Sequence, residues 1–141
     1  MQRQLISSGS PYESSIGLSR AVRVGPLIAV AGTAPLAADG TTAHAGDVYG
    51  QTRRSLEIML EAIERAGGTR EHVIRTRVML VDMTRWREAA RAHGQAFASV
   101  RPACTFVHVS GFIDPGAGRR SRRLHLGPSW LVETEADCYV A

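Results

Sequence analysis

The chain has 141 residues, of which 44% are hydrophobic, so it can bury the core of one domain without disulfides or metal ions. Its formal net charge of +4 is modest and four of its arginines lie together in residues 119–123, which argues against a basic face running over the whole domain. Two cysteines are too few for a secreted disulfide framework, and no apolar run is long enough for a signal sequence or a membrane span, so we expect a cytoplasmic protein with free thiols.

The first predicted elements form a β-hairpin. Residues 20–24 and 27–31 are short apolar runs separated by Gly25 and Pro26, which predicts two antiparallel strands joined by a tight turn. Residues 32–46 are rich in glycine and other small residues and show no periodicity, so we expect a loop after the hairpin.

Two amphipathic helices are predicted in the middle of the chain. Asp47 is a good N-cap for the first helix and Gly67-Gly68 ends it. The apolar side of this helix is formed by residues at helical spacing: Val48, Thr52, Leu56, Met59, Leu60 and Ile63. Thr84 is expected to cap the second helix, whose buried stripe would contain Trp86, Ala89, Ala90, His93 and Phe97.

Three further segments alternate with a period of two residues, which predicts strands at 73–81, 104–110 and 131–140. In the first of these, one face is expected to carry Ile74, Thr76, Val78 and Leu80. The element order β-β-α-β-α-β-β predicts a single α+β domain, with a mixed sheet and two helices on one face.

The last strand has two different faces. The face suited to packing against the helices contains Val132, Thr134, Ala136, Cys138 and Val140. The opposite face contains Leu131, Glu133, Glu135, Asp137 and Tyr139. A half-apolar, half-acidic face is unusual for a surface that simply meets solvent, so it favours a subunit interface or a cleft.

Several stretches together resemble the Rid family, also called YjgF-type or endoribonuclease L-PSP: 19–36, 47–68, 73–86, 101–115 and 130–138. The resemblance covers nearly the whole chain in the right order. It implies a chorismate-mutase-like subunit in a homotrimer, with three small-molecule clefts between subunits, and hydrolysis of reactive enamines and imines such as 2-aminoacrylate. Against this pattern, residues 116–128 look like a loop inserted into a hairpin connection.

The resemblance also implies which residues form the site. In the deaminating members an arginine in a Pro-Ala-Arg-Ser motif holds the substrate carboxylate, whereas residues 102–105 read Pro-Ala-Cys-Thr and Cys104 takes its place. Three more family side chains are replaced, a tyrosine by Leu18, a serine by Ala31 and a helix asparagine by Ala90. Losing a bidentate arginine removes a contact of about 1.5–3 kcal/mol, so 2-aminoacrylate is not expected as the substrate. We expect a less anionic or larger ligand instead.

The residues that match the family are Gly32, whose backbone can approach a ligand, and Glu133. Burial at an interface would raise the pKa of Glu133 and suit it to general acid or base catalysis, although an intersubunit ion pair with Arg20 or Arg75 explains it equally well. Arg20 and Thr33 flank the strands that form the cleft, so both could present donors to a ligand. Thr105 follows the replaced arginine and is a further candidate.

Cys104 invites a nucleophile interpretation, with a small buried thiol as the alternative. His108 cannot be its base within one subunit, because residues four apart on a strand are ~13 Å apart. We expect His93 to pack in the core. The five histidines have no metal-ligand spacing, so neither a metal nor a cofactor is expected.

Three classes of function remain open. The first is an enzyme acting on a small reactive imine, enamine or related carbonyl compound, with Glu133 managing the proton transfers. The second is a catalytically silent ligand-binding or regulatory trimer on the same scaffold. The third, RNA binding through residues 116–128, is disfavoured because a ribonuclease would normally show paired acid-base groups or a metal cluster.

Overall fold

A computed structural model describes residues 2–114 and 129–141, which fold as a six-stranded mixed sheet with two long helices on one face. This α+β architecture confirms the predicted fold class. The elements are β1 (Arg3–Ile6), α1 (Tyr12–Ile16), β2 (Ala21–Val24), β3 (Leu27–Thr33), α2 (Val48–Arg65), β4 (Val73–Leu80), α3 (Trp86–Phe97), β5 (Ala103–His108) and β6 (Val132–Tyr139). Short 3-10 turns at Arg70–His72 and Met83–Arg85 lead into β4 and α3.

The strand order is β1-β2-β3-β6-β4-β5. Strands β4 and β5 are parallel, and every other neighbouring pair is antiparallel. A parallel pair needs a crossover connection, which α3 supplies. The last strand, β6, therefore lies in the middle of the sheet between β3 and β4.

The core lies between the sheet and the helices. The predicted helix-facing side of β6 is buried, with Val132, Thr134, Ala136 and Cys138 all at 1% exposure or less. From α2, Met59 and Ile63 are fully buried against it. Each such apolar side chain stabilises the fold by about 1.5–3 kcal/mol relative to an exposed one.

The predicted start of α2 is confirmed by its cap. The Asp47 carboxylate accepts a hydrogen bond from the amide of Gly50 at 3.0 Å. This bond satisfies one of the amide groups that a helix start leaves without a partner. After α2 the chain turns at Gly67, whose φ of 84° favours glycine.

The N-terminal segment departs from the sequence expectation, which placed no element before residue 20. Strand β1 pairs with β2 from Arg3 to Ile6, and the short helix α1 follows it. Strand β3 also runs on to Thr33, into the predicted loop.

Three details of β4 and α3 were predicted wrongly. Ile74 is 53% exposed because the pairing of β4 with β6 shifts between Val73 and Arg75, and Val73 points into the core in its place. Trp86 is 38% exposed, and Ala92 is the buried residue that the stripe omitted. Thr84 lies in the 3-10 turn, where its amide donates to Asp82, so it does not cap α3.

Residues 116–128, the expected insert, lie outside the described residues. The chain on either side of them is held together, because the Asp114 carboxylate accepts hydrogen bonds from the hydroxyl of Ser129 and, at 2.8 Å, from the amide of Trp130. Within the described part of the chain, no helix is both long and apolar enough to cross a membrane.

Candidate functional site

A register shift between β3 and β6 creates the centre of the candidate site. The two strands pair regularly up to Val30 and Ala136, and pairing resumes with Thr33 opposite Thr134. The irregular stretch of β3 brings the backbone of Gly32 against the Glu133 side chain, so that a Cβ added at Gly32 would lie 3.4 Å from Glu133 Oε2. A larger side chain at this position would press on the carboxylate.

Arg20 is the third residue at the centre of the candidate site, beside Gly32 and Glu133. Its Nη2 donates a hydrogen bond of 2.6 Å to the carbonyl oxygen of Gly32, while its own carbonyl accepts from the amide of Ala31 at 3.0 Å. The Nε atom of Arg20 is buried and has no partner among the described residues. Arg20 from the segment before β2, Gly32 from the end of β3 and Glu133 from the start of β6 thus come together.

The electrostatics of Glu133 follow from this placement. Burial raises the pKa of Glu133, the Arg20 charge lowers it, Glu135 raises it, and the net direction is upward. Burial lowers the pKa of Arg20, while Glu133 and Glu13 raise it, but an arginine remains charged near neutral pH. A shift in this direction is the one that general acid or base catalysis by a carboxyl group needs.

The ion pairs considered for Glu133 would join two subunits; within the described residues of one chain, Glu133 makes none with Arg20 or Arg75. Arg75 instead lies 3.9 Å from Asp137, and Arg77 lies 2.9 Å from Glu135. Both ion pairs are on the sheet face that the helices leave uncovered. Their side chains are 30–47% exposed, so each ion pair contributes little to stability.

The N-terminal segment borders the site on one side. The Glu13 carboxylate accepts hydrogen bonds from Ser7 and Ser8, which fixes the segment between β1 and α1. Leu18, two residues before Arg20 in the sequence, is 44% exposed. Ala31 is half-buried at the end of β3.

Cys104 is not brought to Glu133. Cys104 pairs in register with Thr76, which is fully buried on the helix-covered face, whereas Glu133 pairs with Met79 on the open face. Residues paired across strands point to the same side of a sheet, so the thiol and the carboxylate lie on opposite faces within one protomer. Within one protomer Cys104 is exposed at the sheet edge.

The register also separates Thr105 from Cys104. Thr105 pairs with Arg77 and shares the open face with Glu133. Thr33, by contrast, is fully buried and its hydroxyl donates to the carbonyl of Ala31 at 2.8 Å. The Thr33 hydroxyl is therefore not the free donor that the sequence suggested.

His93 packs as expected, in a setting that the sequence did not reveal. Its Nε2 lies 2.8 Å from the hydroxyl of Thr76, and its ring lies 4.9 Å from that of Phe97. Burial lowers the pKa of His93. Because Thr76 is the register partner of Cys104, the imidazole and the thiol flank the same threonine. Only the register of β4 and β5 could have shown this.

The open face of the sheet surrounds the charged residues with apolar ones. Leu27 and Tyr139 pair with each other and are 55% and 50% exposed. A hollow of about 340 Å³ beside them is lined by Val22, Val24, Ile74 and Ala29, among others. In residues 2–114 and 129–141, no three His, Cys, Asp or Glu side chains are grouped so that they could hold a metal ion.

Comparisons with known proteins agree on one family. The family model described as endoribonuclease L-PSP matches residues 10–117. An uncharacterized protein of Streptomyces coelicolor is 43% identical over 109 residues, which are 77% of this chain and 81% of that protein. The crystal structure of Rv2704 from Mycobacterium tuberculosis, described as a YjgF/YER057c/UK114 family member, is 41% identical with a TM-score of 0.79, covering 99% of this chain and 100% of that one. Escherichia coli TdcF with bound serine shares the fold at 20% identity and a TM-score of 0.73, over 97% of this chain and 94% of that one.

Proposed function

The chain belongs to the endoribonuclease L-PSP family, also called the YjgF or Rid family, and we propose that it acts on a small reactive imine, enamine or related carbonyl compound at Glu133. One observation carries the proposal. Glu133 is half-buried with a raised pKa, and it lies against a backbone without a side chain and beside a guanidinium. This combination suits a ligand that must be protonated and then attacked by water.

The chemistry needs one group that exchanges protons in both directions. Protonated Glu133 gives its proton to the imine nitrogen, and the resulting carboxylate then takes a proton from the water that attacks the carbon. Glu133 passes that proton to the amine nitrogen, the C–N bond breaks to release ammonia, and the hydroxyl proton of the intermediate returns to Glu133, which leaves a carbonyl compound and the protonated acid. A positioned acid or base of this kind accelerates such steps by about 10²–10⁴.

We place the ligand in a cleft between subunits of a homotrimer. The apolar side chains on the open sheet face favour association, as Leu27 and Tyr139 are about half exposed there. Cys104 and Glu133 lie on opposite faces of one protomer, so a cleft lined by both must combine two copies of the chain. Leu18, Ala31, Gly32 and Thr105 would complete its walls, and no cofactor takes part.

Replacing Glu133 tests the catalytic role. Small imines generated in solution would be presented to the wild type, to Glu133→Gln and to Glu64→Gln, with ammonia and the carbonyl product as readouts. Glu64 is exposed on α2, so its variant controls for the loss of one negative charge. We expect the wild type and Glu64→Gln to accelerate hydrolysis equally and Glu133→Gln to lose about 100-fold or more. Equal rates with Glu133→Gln would remove this residue from the mechanism.

The second candidate is a silent ligand-binding or regulatory trimer. Its support is that Leu18, Ala31, Ala90 and Cys104 replace four side chains of the deaminating family members. The two candidates separate in a single measurement, because a silent protein would bind an imine or its carbonyl product and release it unchanged.

A further inference from the structure

We propose that Arg20 anchors the negatively charged end of the ligand, so that the Glu133 site takes a small molecule bearing a carboxylate. The inference rests on the proposed function only for the place where the ligand binds. It assigns to Arg20 the recognition of charge that the family's arginine, replaced by Cys104, does not provide in this chain.

The guanidinium of Arg20 is held in place with donors to spare. The Nη2 atom donates to the carbonyl of Gly32 at 2.6 Å, and this is the one hydrogen bond that the guanidinium makes within the described residues. An arginine side chain has five N–H donors, and here the Nε donor is buried without a partner. That atom is closed to a ligand, but the two Nη1 donors make no hydrogen bond within the described residues, and a carboxylate is the acceptor that matches a pair of guanidinium donors best.

The charge around Arg20 also leaves room for an anion. Glu13, one of the two acidic groups that act on it, is already engaged by Ser7 and Ser8. Glu133, the other, makes no ion pair with Arg20 within the described residues and has a raised pKa. The guanidinium is therefore fixed by a neutral carbonyl and makes no direct ion pair within the described residues.

Binding at Arg20 is coupled to the protonation of Glu133. Two groups with charge face Glu133, Arg20 from the segment before β2 and Glu135 from β6 itself, while β3 presents Gly32 and β4 presents Met79, which do not titrate. A bound carboxylate repels the ionised form of Glu133 and favours its protonated form. Ligand binding thus takes up a proton, and it leaves Glu133 as the acid that the imine nitrogen needs.

A matched pair of unreactive probes tests the anchor. 2-Oxobutanoate and 2-oxobutanamide have nearly the same size and differ in charge, and their affinities would be measured by titration of the full chain in phosphate-free buffer, followed by NMR. We expect the wild type to bind the acid about tenfold or more tightly than the amide. Arg20→Gln is expected to lose that preference and to keep the affinity for the amide.

Two further variants make the result specific. Arg53→Gln removes the same charge from the exposed surface of α2, so it is expected to bind the acid as the wild type does. Arg20→Lys keeps the charge without the fork and is expected to bind the acid with intermediate affinity, which also covers a failure of Arg20→Gln to fold. The affinity of the wild type for the acid is expected to fall as pH rises, and this dependence is expected to be absent in Glu133→Gln.

The inference is overturned if the wild type binds the acid no more tightly than the amide, if it binds neither, or if the acid binds Arg20→Gln and the wild type equally. These outcomes are independent of catalysis. A protein that binds the acid through Arg20 and hydrolyses no imine would retain the anchor and lose the proposed function. A protein that hydrolyses neutral imines and shows no preference for the acid would retain the proposed function and lose the anchor.

Discussion

Replacing Gln51 by alanine tests what holds the start of β6, the strand that carries Glu133. Gln51 lies on α2 and is fully buried. Its Nε2 donates to the carbonyl of Ser129 at 2.9 Å, and its Oε1 accepts from the amide of Leu131 at 2.8 Å. A third, longer contact of 3.4 Å reaches the carbonyl of His44. One side chain therefore ties α2 to the residues just before β6.

The expected cost follows from the groups left behind. Alanine would leave the Ser129 carbonyl and the Leu131 amide without their partner, at about 1–3 kcal/mol for each group. Both residues are half-buried, so water would satisfy part of this need. We expect a loss of about 2–4 kcal/mol, a large share of the roughly 5–15 kcal/mol that stabilises a typical domain.

Urea denaturation followed by circular dichroism would measure this loss at one fixed protein concentration, because subunit association adds to apparent stability. Gln95→Ala is the matched control. Gln95 is exposed on α3 and accepts one hydrogen bond from the hydroxyl of Tyr49, so its loss is expected to cost less than about 0.5 kcal/mol. A loss below about 1 kcal/mol in Gln51→Ala would refute the role given to this side chain.

Two other predictions follow from burial. The raised pKa of Glu133 means that the folded state binds more protons than the unfolded state, so this group costs stability as pH rises from 4.5 through the raised value. In thermal unfolding, the melting temperature of Glu133→Gln should therefore rise relative to that of the wild type as pH rises. A wild-type melting temperature that rises relative to the variant's would contradict the upward direction of the pKa shift. Burial raises the pKa of Cys138 to about 11, whereas Cys104 is exposed, so Ellman's reagent should titrate one thiol in the native protein and the second only after denaturation. Equal rates for both thiols would be inconsistent with these surroundings.

Most of the fold could be predicted from the sequence because its elements carry strong local patterns. The apolar spacing of α2 and the alternation of β6 each determine which face is buried without knowledge of the partner. Strand β1 has no such pattern, since RQLI contains two polar residues and becomes a strand only by pairing with β2. Ile74 was misplaced for a related reason, because a shift in register between β4 and β6 reverses the alternation at that point.

The candidate site could be predicted from the sequence only in part. Resemblance to the family selected Gly32 and Glu133, and the structure places these two residues in contact. The contact between Arg20 and the Gly32 carbonyl depends on the irregular end of β3, which no local pattern reveals. The orientation of Cys104 depends on the register of β5 against β4, which is fixed by the crossover through α3 rather than by the strand's own sequence.

This separation bears on the prediction that Cys104 takes the place of the family's arginine. Cys104 lies at the edge of the sheet and on the face opposite Glu133. The proton-transfer group, its neighbouring positive charge and the bare backbone of Gly32 all come from the other half of the sheet, and all three are present in one chain. Under the proposed function, a change at the edge strand would alter a wall of the cleft and leave the group around Glu133 intact. The proposed chemistry at Glu133 and its proposed anchor at Arg20 therefore do not depend on the side chain at position 104.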